Sequence, residues 1–272
     1  MLLGEAENMS KIAFVTGSSR VTGKNIALEL ARAGYDVGIT YTGYKEGADD
    51  AVKQIEAMGQ RSKAYYLDTR DIEGCRKTID EFCEEFGGID VMVNNTGLTI
   101  FSNFLETEPD VFAKLFETNL RGCYFCGQAA ARQMVKRGIK GVIVNLSSVH
   151  AQGTWPGDSL YAVSKAAISR LTQAEALDLA PYGIRAVAVA PGYIDTGWQN
   201  RSDEAHAKYE QALRRIPLKR FAEGAEIGKA VVFLASENAG YITGTTLFVE
   251  GGALLPVITE NDYGPGVGSK EY

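Results

Sequence analysis

A serine, a tyrosine and a lysine occur together in the stretch "NLSSVHAQGTWPGDSLYAVSK" near the middle of the chain. Lys165 follows Tyr161 by four residues, so a helix beginning near Tyr161 would present phenol and ammonium on one face. A free phenol is a poor base at neutral pH because its pKa is about 10, and a nearby positive charge favours the phenolate. With the hydroxyl of Ser148 holding a substrate oxygen, this spacing predicts proton exchange with an alcohol or a ketone. The alternative is a surface helix with an incidental pair.

A glycine-containing stretch near the N-terminus, "TGSSRVTGKN", lies between an apolar run and a helical pattern. Such loops bind dinucleotide phosphates because glycine lets the backbone approach the pyrophosphate. Gly17 and Gly23 fit this interpretation, but Val21 stands where another glycine is expected. If the backbone at Val21 has φ > 0, strain on the order of 1–2 kcal/mol follows. Helix N-terminal amides and Thr22 remain available to phosphates, so we expect binding that is weaker than in a glycine version.

Seven strand-like apolar runs alternate with helical patterns over most of the chain. The runs are nearly continuous, which indicates strands buried on both faces of a parallel sheet. We therefore predict an α/β fold of Rossmann type, with a doubly wound parallel sheet, three layers and a single domain. The predicted domain covers 11–255, after an N-terminal extension at 1–10 and before a C-terminal tail at 256–272. Residues 195–220 are the predicted substrate lid.

The composition excludes several classes of function. The 272 residues carry a formal net charge of −6, which lacks the basic surplus of nucleic-acid-binding proteins. No apolar run is long enough to cross a bilayer, and no targeting pattern is evident, so we expect neither membrane nor nucleic-acid partners and a cytoplasmic location. Cys123 and Cys126 form a C-x-x-C pattern, but their apolar helical flanks predict core packing rather than zinc or redox chemistry. We expect no metal site, since the chain has only two histidines.

Five separately placed motifs resemble those of the short-chain dehydrogenase/reductase family, between about Lys11 and Gly252. They are the glycine loop, "NNTG" at 94–97 with Thr96 in place of the usual alanine, "TNLRG" around Asn119, the serine–tyrosine–lysine spacing, and "PGYIDT" at 191–196. The resemblance implies an NAD(P)-dependent oxidoreductase that interconverts a secondary alcohol and a ketone by hydride transfer.

The resemblance also implies a role for each matched residue. Tyr161 would be the general acid/base, and Ser148 would position the substrate oxygen. Lys165 would favour the tyrosine phenolate and bond the nicotinamide ribose, while Asn119 would hold a water of the proton relay. Besides Tyr161 and Lys165, the expected cofactor contacts are Gly17, Ser19, Arg20, Thr22, Gly23, Tyr41, Asp68, Thr69, Asn95, Thr96, Gly97, Pro191, Gly192, Ile194 and Thr196.

Three of these contacts carry specific expectations. Asp68 would meet the adenine amino group, whereas Ile194 and Thr196 would hold the carboxamide. Members that prefer NAD usually have an aspartate at the end of the second strand, where this chain has Tyr41. Arg20 matches a position where a basic residue faces the 2′-phosphate, which an arginine binds well. NADP(H) is therefore the favoured cofactor, with NAD(H) possible.

The substrate class is less constrained, because the family acts on many alcohols and ketones. The segment "SSVHAQGTWP" resembles glucose 1-dehydrogenase members, so His150 and Trp155 are expected, with Ser148, Tyr161 and Trp198, to contact a sugar or polyol. Packing of the loop alone is the alternative reading for His150 and Trp155.

Two other functions stay open at this point. The first is a 3-oxoacyl-thioester (acyl carrier protein) reductase, whose acidic carrier would meet a basic cluster at Arg214, Arg215, Lys219 and Arg220. Such a cluster is more often a solvated helix face. The second is a non-catalytic dinucleotide-binding or scaffold protein, suggested by the departures at Val21 and Thr96. Family resemblance further implies a homo-oligomer, commonly a tetramer, with no partner besides a small-molecule substrate.

Overall fold

A computed structural model describes residues 10–197 and 202–255 of the chain. Within these residues the strands are β1 Ile12–Val15, β2 Asp36–Tyr41, β3 Ser62–Tyr66, β4 Val91–Asn94, β5 Val142–Leu146, β6 Arg185–Pro191 and β7 Thr246–Val249. They form one parallel sheet in the order β3-β2-β1-β4-β5-β6-β7. The order reverses between β1 and β4, which is where doubly wound sheets open a crevice for ligands.

Eight α-helices of the described residues cover the sheet. They are α1 Val21–Arg32, α2 Lys45–Glu56, α3 Ile72–Phe86, α4 Pro109–Phe116, α5 Gly122–Arg137, α6 Ser159–Leu179, α7 Asp203–Arg214 and α8 Gly224–Ala235. Buried residues of α1, α2 and α8 form one apolar cluster, and those of α3 and α5 form a second cluster on the opposite face. The three-layer doubly wound fold predicted from the sequence is confirmed.

The strands differ in burial according to their place in the sheet. The inner strands β1, β2, β4, β5 and β6 are buried over nearly their whole length. The edge strands β3 and β7 are not, and Tyr66 at the end of β3 is largely exposed. The expectation of burial on both faces was therefore wrong for the two edges, because an edge strand is flanked on one side only.

Two cysteines predicted to pack in the core do so. Cys123 and Cys126 lie on α5 with side chains almost completely buried, and Cys126 belongs to the cluster between α3 and α5. Burial raises the pKa of the Cys123 thiol, and a hydrogen bond with Cys75 together with burial raises that of Cys126, which keeps both thiols protonated and unreactive.

The predicted lid segment includes α7, which packs a small cluster of its own through Ala212, Ile216 and Phe221. Residues 198–201 of that segment, 1–9 of the extension and 256–272 of the tail lie outside the described residues, so these boundaries stay predictions. Among the helices that the structure describes, none is both long and apolar enough to cross a membrane.

A buried polar network joins the sheet to α6 behind the site. The amide Nδ2 of Asn145 donates to Oε2 of Glu175 at 2.7 Å and to Oγ1 of Thr172 at 3.0 Å. Asn94 donates in turn to Oδ1 of Asn145 at 2.9 Å. Burial raises the pKa of Glu175 from 4.5 to about 7, although the hydrogen bond from Asn145 opposes the rise.

This carboxyl predicts a pH-dependent stability. Between pH 4.5 and 7 the unfolded chain ionises at Glu175 while the folded chain keeps its proton, so folding stability falls as pH rises. Glu175→Gln removes this fall. From pH 5 to pH 8, the free energy of unfolding of the variant should therefore rise by about 1–3 kcal/mol relative to that of the wild type. Urea unfolding at both pH values measures it. The exposed Glu210→Gln on α7 is the matched control, and equal pH dependence in both variants would refute the assignment.

Candidate active site

The carboxyl ends of β1, β2, β3 and β4 open into a cleft of about 660 Å³. The predicted cofactor residues that line it are Gly17, Ser19, Arg20, Thr22, Gly23, Tyr41, Asp68, Thr69, Asn95, Thr96 and Gly97. Val21 lines the cleft as well, and so do residues that the sequence reasoning missed, namely Thr42, Gly43, Tyr44, Arg70, Leu98, Lys114 and Thr118. Lys114 and Thr118 come from α4 and the turn after it, and no motif signalled their approach.

The glycine-containing loop at 16–25, called the phosphate loop below, is hydrogen-bonded to the residues that follow β4. The side-chain amide of Asn95 donates to the carbonyls of Thr16 and Gly17 at 2.9 and 3.1 Å. The hydroxyl of Thr16 accepts from the main-chain amides of Asn95 and Thr96 at 2.9 and 3.0 Å. Asn95 thus supports the loop, a role that the motif alone did not reveal.

Two glycines of the loop are required by space, and Gly17 is required by its backbone conformation as well. Gly17 has φ +62°, and a Cβ placed on it would lie 2.9 Å from Oγ1 of Thr96. A Cβ on Gly23 would lie 2.3 Å from the carbonyl oxygen of Gly17, closer than real contacts allow. Thr96, which replaces the usual alanine, therefore packs directly over Gly17 and not in empty space.

Val21, the departure from the glycine pattern, has φ +46°. A β-branched residue in this region is an outlier, so the condition set for strain in the sequence is met. The side chain is 43% exposed and lines the cleft, which places it at the N-terminus of α1 beside the expected pyrophosphate.

The adenosine end of the cleft holds charged side chains. Asp68 is paired with Arg70, whose Nε and Nη2 donate to its two oxygens at 3.0 and 2.6 Å, and this pairing holds the pKa of Asp68 below its usual range. An adenine amino group would therefore share the carboxylate with Arg70. Arg20 is exposed and forms no ion pair within the described residues, so its guanidinium is available to an anion.

Lys165 and Tyr161 lie on one face of α6, as their spacing predicted. The ammonium of Lys165 is buried, donates to the carbonyl of Leu146 at 2.7 Å, and lies 5.6 Å from the centroid of the Tyr161 ring. A Cβ on Gly97 would lie 3.5 Å from this ammonium, so the glycine leaves room for a ligand beside it. The end of β5, Lys165 and Tyr161 therefore lie together and form the positively charged part of the site.

Asn119 sits in a π-helical turn, Glu117–Arg121, between α4 and α5. Its side chain is completely buried and exchanges two hydrogen bonds with the backbone of Leu98, at 2.7 and 2.9 Å. It also donates to the hydroxyl of Ser164 on α6 at 3.2 Å. π-helical turns occur often at functional sites, and this one ties the loop after β4 to α6. The relay water stays a prediction.

Ser148 and His150 follow β5 at the same edge of the sheet. Ser148 is buried and its hydroxyl accepts from the main-chain amide of His150 at 3.3 Å. The His150 ring stacks on Trp155 with centroids 4.1 Å apart and meets the Tyr161 ring edge-on at 5.2 Å. The structure thus places His150 beside Tyr161, and His150 in turn contacts Trp155 through its ring and Ser148 through its main-chain amide. Trp198 lies outside the described residues.

Pro191 is the last residue of β6, and Gly192, Ile194 and Thr196 follow it along the same edge of the sheet. The main-chain amide of Gly192 donates to Val249 at 3.0 Å, and Ile194 forms an isolated parallel bridge with Ala222. These contacts fix the backbone after β6. The hold of Ile194 and Thr196 on a carboxamide stays a prediction.

One charged residue beside the catalytic cluster was missed altogether. Asp158 is completely buried and hydrogen-bonds His150 Nδ1 through its Oδ2. In the sequence it precedes α6 and has the appearance of an ordinary helix-start residue. No local pattern could reveal that the turn between His150 and Asp158 brings the two side chains together.

The donors and spaces of the cleft fit a nicotinamide dinucleotide. Close-packed Gly17 and Gly23 let the backbone approach a pyrophosphate, and the N-terminus of α1 favours its charge. Arg20 and Gly97 both line the cleft, and the buried ammonium of Lys165 lies beside Gly97.

Comparison with known proteins agrees with this geometry. A family model described as enoyl-(acyl carrier protein) reductase matches residues 17–253. The chain is 41% identical to a 3-oxoacyl-(acyl-carrier-protein) reductase of Staphylococcus aureus, over 91% of this chain and 99% of the relative. It is similar to the solved acetoin dehydrogenase of Enterobacter cloacae, with 36% identity, a TM-score of 0.85, and coverage of 94% of this chain and 100% of that one.

A second solved structure adds a bound cofactor. The gluconate 5-dehydrogenase of Burkholderia cenocepacia, in complex with NADP and tartrate, is 34% identical with a TM-score of 0.84. The match covers 91% of this chain and 96% of that one.

The strained loop residue gives a direct prediction. Val21→Gly should tighten NADPH binding about three- to tenfold, because it removes the branched side chain beside the pyrophosphate and the strain of the left-handed backbone. Fluorescence titration measures the dissociation constant. Lys219, with φ +54°, is the other described non-glycine residue in this region. Lys219→Gly is therefore the control that relieves strain outside the cleft and leaves the dissociation constant unchanged. A Val21→Gly constant equal to or above that of the wild type contradicts the assignment.

Proposed function

The chain belongs to the short-chain dehydrogenase/reductase family, and from that premise we propose that Tyr161 is the general acid/base of an alcohol–ketone oxidoreductase. The observation that carries the proposal is the buried ammonium of Lys165, fixed by the carbonyl of Leu146 beside the Tyr161 ring. A positive charge held at this place favours the phenolate of the tyrosine.

The proposed chemistry divides between cofactor and protein. When bound, the nicotinamide ring accepts or supplies the hydride. In alcohol oxidation, the oxygen of Tyr161 takes the hydroxyl proton while Ser148 holds the substrate oxygen through a hydrogen bond. In ketone reduction, Tyr161 returns the proton to the carbonyl oxygen. Asn119, which joins the loop after β4 to α6, keeps this helix in place and is proposed to hold a water of the proton relay.

NADP(H) is the proposed preferred cofactor. Arg20 lines the cleft, is exposed and has no ion-pair partner among the described residues, and a guanidinium binds a phosphate through two parallel hydrogen bonds. Tyr41 at the end of β2 supplies no carboxylate that would repel a 2′-phosphate. Ile194 and Thr196 are proposed to hold the carboxamide.

A sugar or polyol is the proposed substrate. His150 lies beside Tyr161, and Trp155 stacks on His150, so the two residues offer a polar ring edge and an aromatic face, which suit a hydroxylated carbon chain. Two similar solved structures are an acetoin dehydrogenase and a gluconate 5-dehydrogenase, and each of these named substrates has more than one oxygen.

A 3-oxoacyl thioester reductase is the second candidate, because a relative of that name is 41% identical. The basic cluster offers limited support for carrier docking. Arg220 donates to both oxygens of Glu226 at 2.6 and 2.7 Å, so its charge is already balanced within the chain. The non-catalytic alternative is set aside, since the buried ammonium of Lys165 lies beside the Tyr161 ring, an arrangement that a scaffold would not need.

We also propose a homotetramer assembled through the helices beside the site. An apolar cavity of about 540 Å³ lies between α5 and α6, with exposed Tyr124, Val135 and Tyr182 on its walls. A cytoplasmic location is proposed because all four cysteines are free and buried, which fits a reducing compartment.

Replacing the proposed acid/base tests the function. Tyr161→Phe should lower kcat by about 10²–10⁴-fold, the usual contribution of a general acid or base, while NADPH binding changes less than about twofold. The assay uses the best substrate from a panel of polyols, aldoses, acyloins and 3-oxoacyl thioesters. Tyr241→Phe, at a fully exposed tyrosine, is the matched control with wild-type turnover. A Tyr161→Phe enzyme with wild-type kcat would remove Tyr161 from the mechanism.

A further inference from the structure

A buried acid holds the histidine that faces the catalytic tyrosine. The carboxylate of Asp158 is completely buried, and its Oδ2 is hydrogen-bonded to Nδ1 of His150. Its other oxygen, Oδ1, has no partner in the described part of the chain. Its backbone is also fixed, since its amide donates to Trp155 at 3.1 Å and its carbonyl accepts from Ala162 at 2.9 Å. His150 is thus the one polar contact of this carboxylate among the described side chains.

The pairing determines which nitrogen of His150 carries a proton. A carboxylate only accepts hydrogen bonds, so Nδ1 must be the protonated nitrogen of the neutral ring. Nε2 is then left with a free lone pair and acts as an acceptor. The acid at 158 therefore fixes the hydrogen-bonding character of the opposite edge of the ring.

The surroundings also fix where that edge points. The ring is stacked on Trp155 at 4.1 Å and stands edge-on to Tyr161 at 5.2 Å, so it cannot turn without losing both contacts. One fifth of the His150 side chain is exposed, whereas Asp158 is completely enclosed. Since the Nδ1 edge of the ring faces the enclosed carboxylate, the edge that carries Nε2 is turned away from Asp158.

We propose that the Asp158–His150 pair selects substrates that carry a second hydroxyl next to the reacting carbinol or carbonyl, namely vicinal diols and α-hydroxy ketones. The inference rests on the proposed function, since the reacting oxygen must sit at Tyr161. The neighbouring hydroxyl then donates to Nε2 of His150. A substrate without that hydroxyl leaves the acceptor unpaired, and a site built to bond a hydroxyl discriminates strongly against analogues that lack it. Asp158 acts through His150 and is a positioning residue.

Two alcohols that differ by one hydroxyl test the proposal. 2,3-Butanediol and 2-butanol are assayed with NADP⁺, and the ratio of their kcat/KM values is the selectivity. The wild type should favour the diol. Asp158→Leu, of similar size but without an acceptor, and His150→Phe, which keeps the ring stacking, should each lower this selectivity about tenfold. Asp158→Asn, whose amide oxygen can still accept from Nδ1, should restore most of it.

The combined variant and a control separate positioning from structural damage. In the His150→Phe background, Asp158→Leu should cause no further loss of selectivity, because the acid acts only through the ring. Asp110→Leu, at an exposed aspartate in the first turn of α4, should keep the wild-type ratio. If Asp158→Leu does not fold, His150→Phe and Asp158→Asn decide the question.

The possible results separate a failure of this selectivity from a failure of the proposed function. An equal fall in kcat/KM for both alcohols would mean a structural role and would overturn the proposal, as would an unchanged ratio in His150→Phe. A wild type that oxidises 2-butanol as efficiently as the diol also overturns this inference and leaves the proposed function standing. A wild type that binds NADPH but turns over neither these alcohols nor any member of the wider substrate panel overturns the proposed function itself.

Discussion

The whole site depends on one buried charge, the ammonium of Lys165 held at 2.7 Å by the carbonyl of Leu146. Taking an ammonium out of water is costly unless it is hydrogen-bonded, so the bond fixes both the side chain and the helix that carries it. Because Leu146 ends β5, α6 is attached to the sheet at the edge where β4 and β6 also end. This attachment fixes the positions of Tyr161 and Ser164 on α6. Ser164 then accepts the hydrogen bond from Asn119.

A second constraint lies under the phosphate loop and explains how the chain keeps a valine there. The hydroxyl of Thr40 accepts from the amide of Gly17 at 2.7 Å, while Asn95 bonds the carbonyls of Thr16 and Gly17. These bonds determine the loop backbone from two neighbouring strands. A strained residue persists where its surroundings over-determine it, which is the case for Val21 with φ +46°. The loop therefore keeps its shape, and the valine acts on ligand approach and local strain.

The sequence allowed most of the fold and the catalytic cluster to be predicted, for physical reasons that also mark the limit. Inner strands are mostly apolar because both of their faces are covered, so each can be recognised from its own residues. The exposure of Tyr66 on β3 depends on that strand lying at the edge of the sheet, which its own residues do not reveal. Tyr161 and Lys165 are four residues apart on one helix, and helix geometry alone brings them together. Asp158 and His150 meet only through the turn that joins them, and Arg70 pairs with Asp68 through side-chain conformations that no motif encodes.

The central claim is that this cleft binds a nicotinamide dinucleotide and prefers the form with a 2′-phosphate. Titration of the wild type and of Arg20→Ala with NADPH and with NADH, followed by nicotinamide fluorescence, tests it most directly. NADPH should saturate the wild-type protein at a lower concentration than NADH does. In Arg20→Ala, NADPH affinity should fall about tenfold or more with NADH affinity unchanged, as for loss of a charged hydrogen bond. Failure of the wild type to bind either cofactor would contradict the account, and equal affinity for both would remove Arg20 as the group that recognises the phosphate.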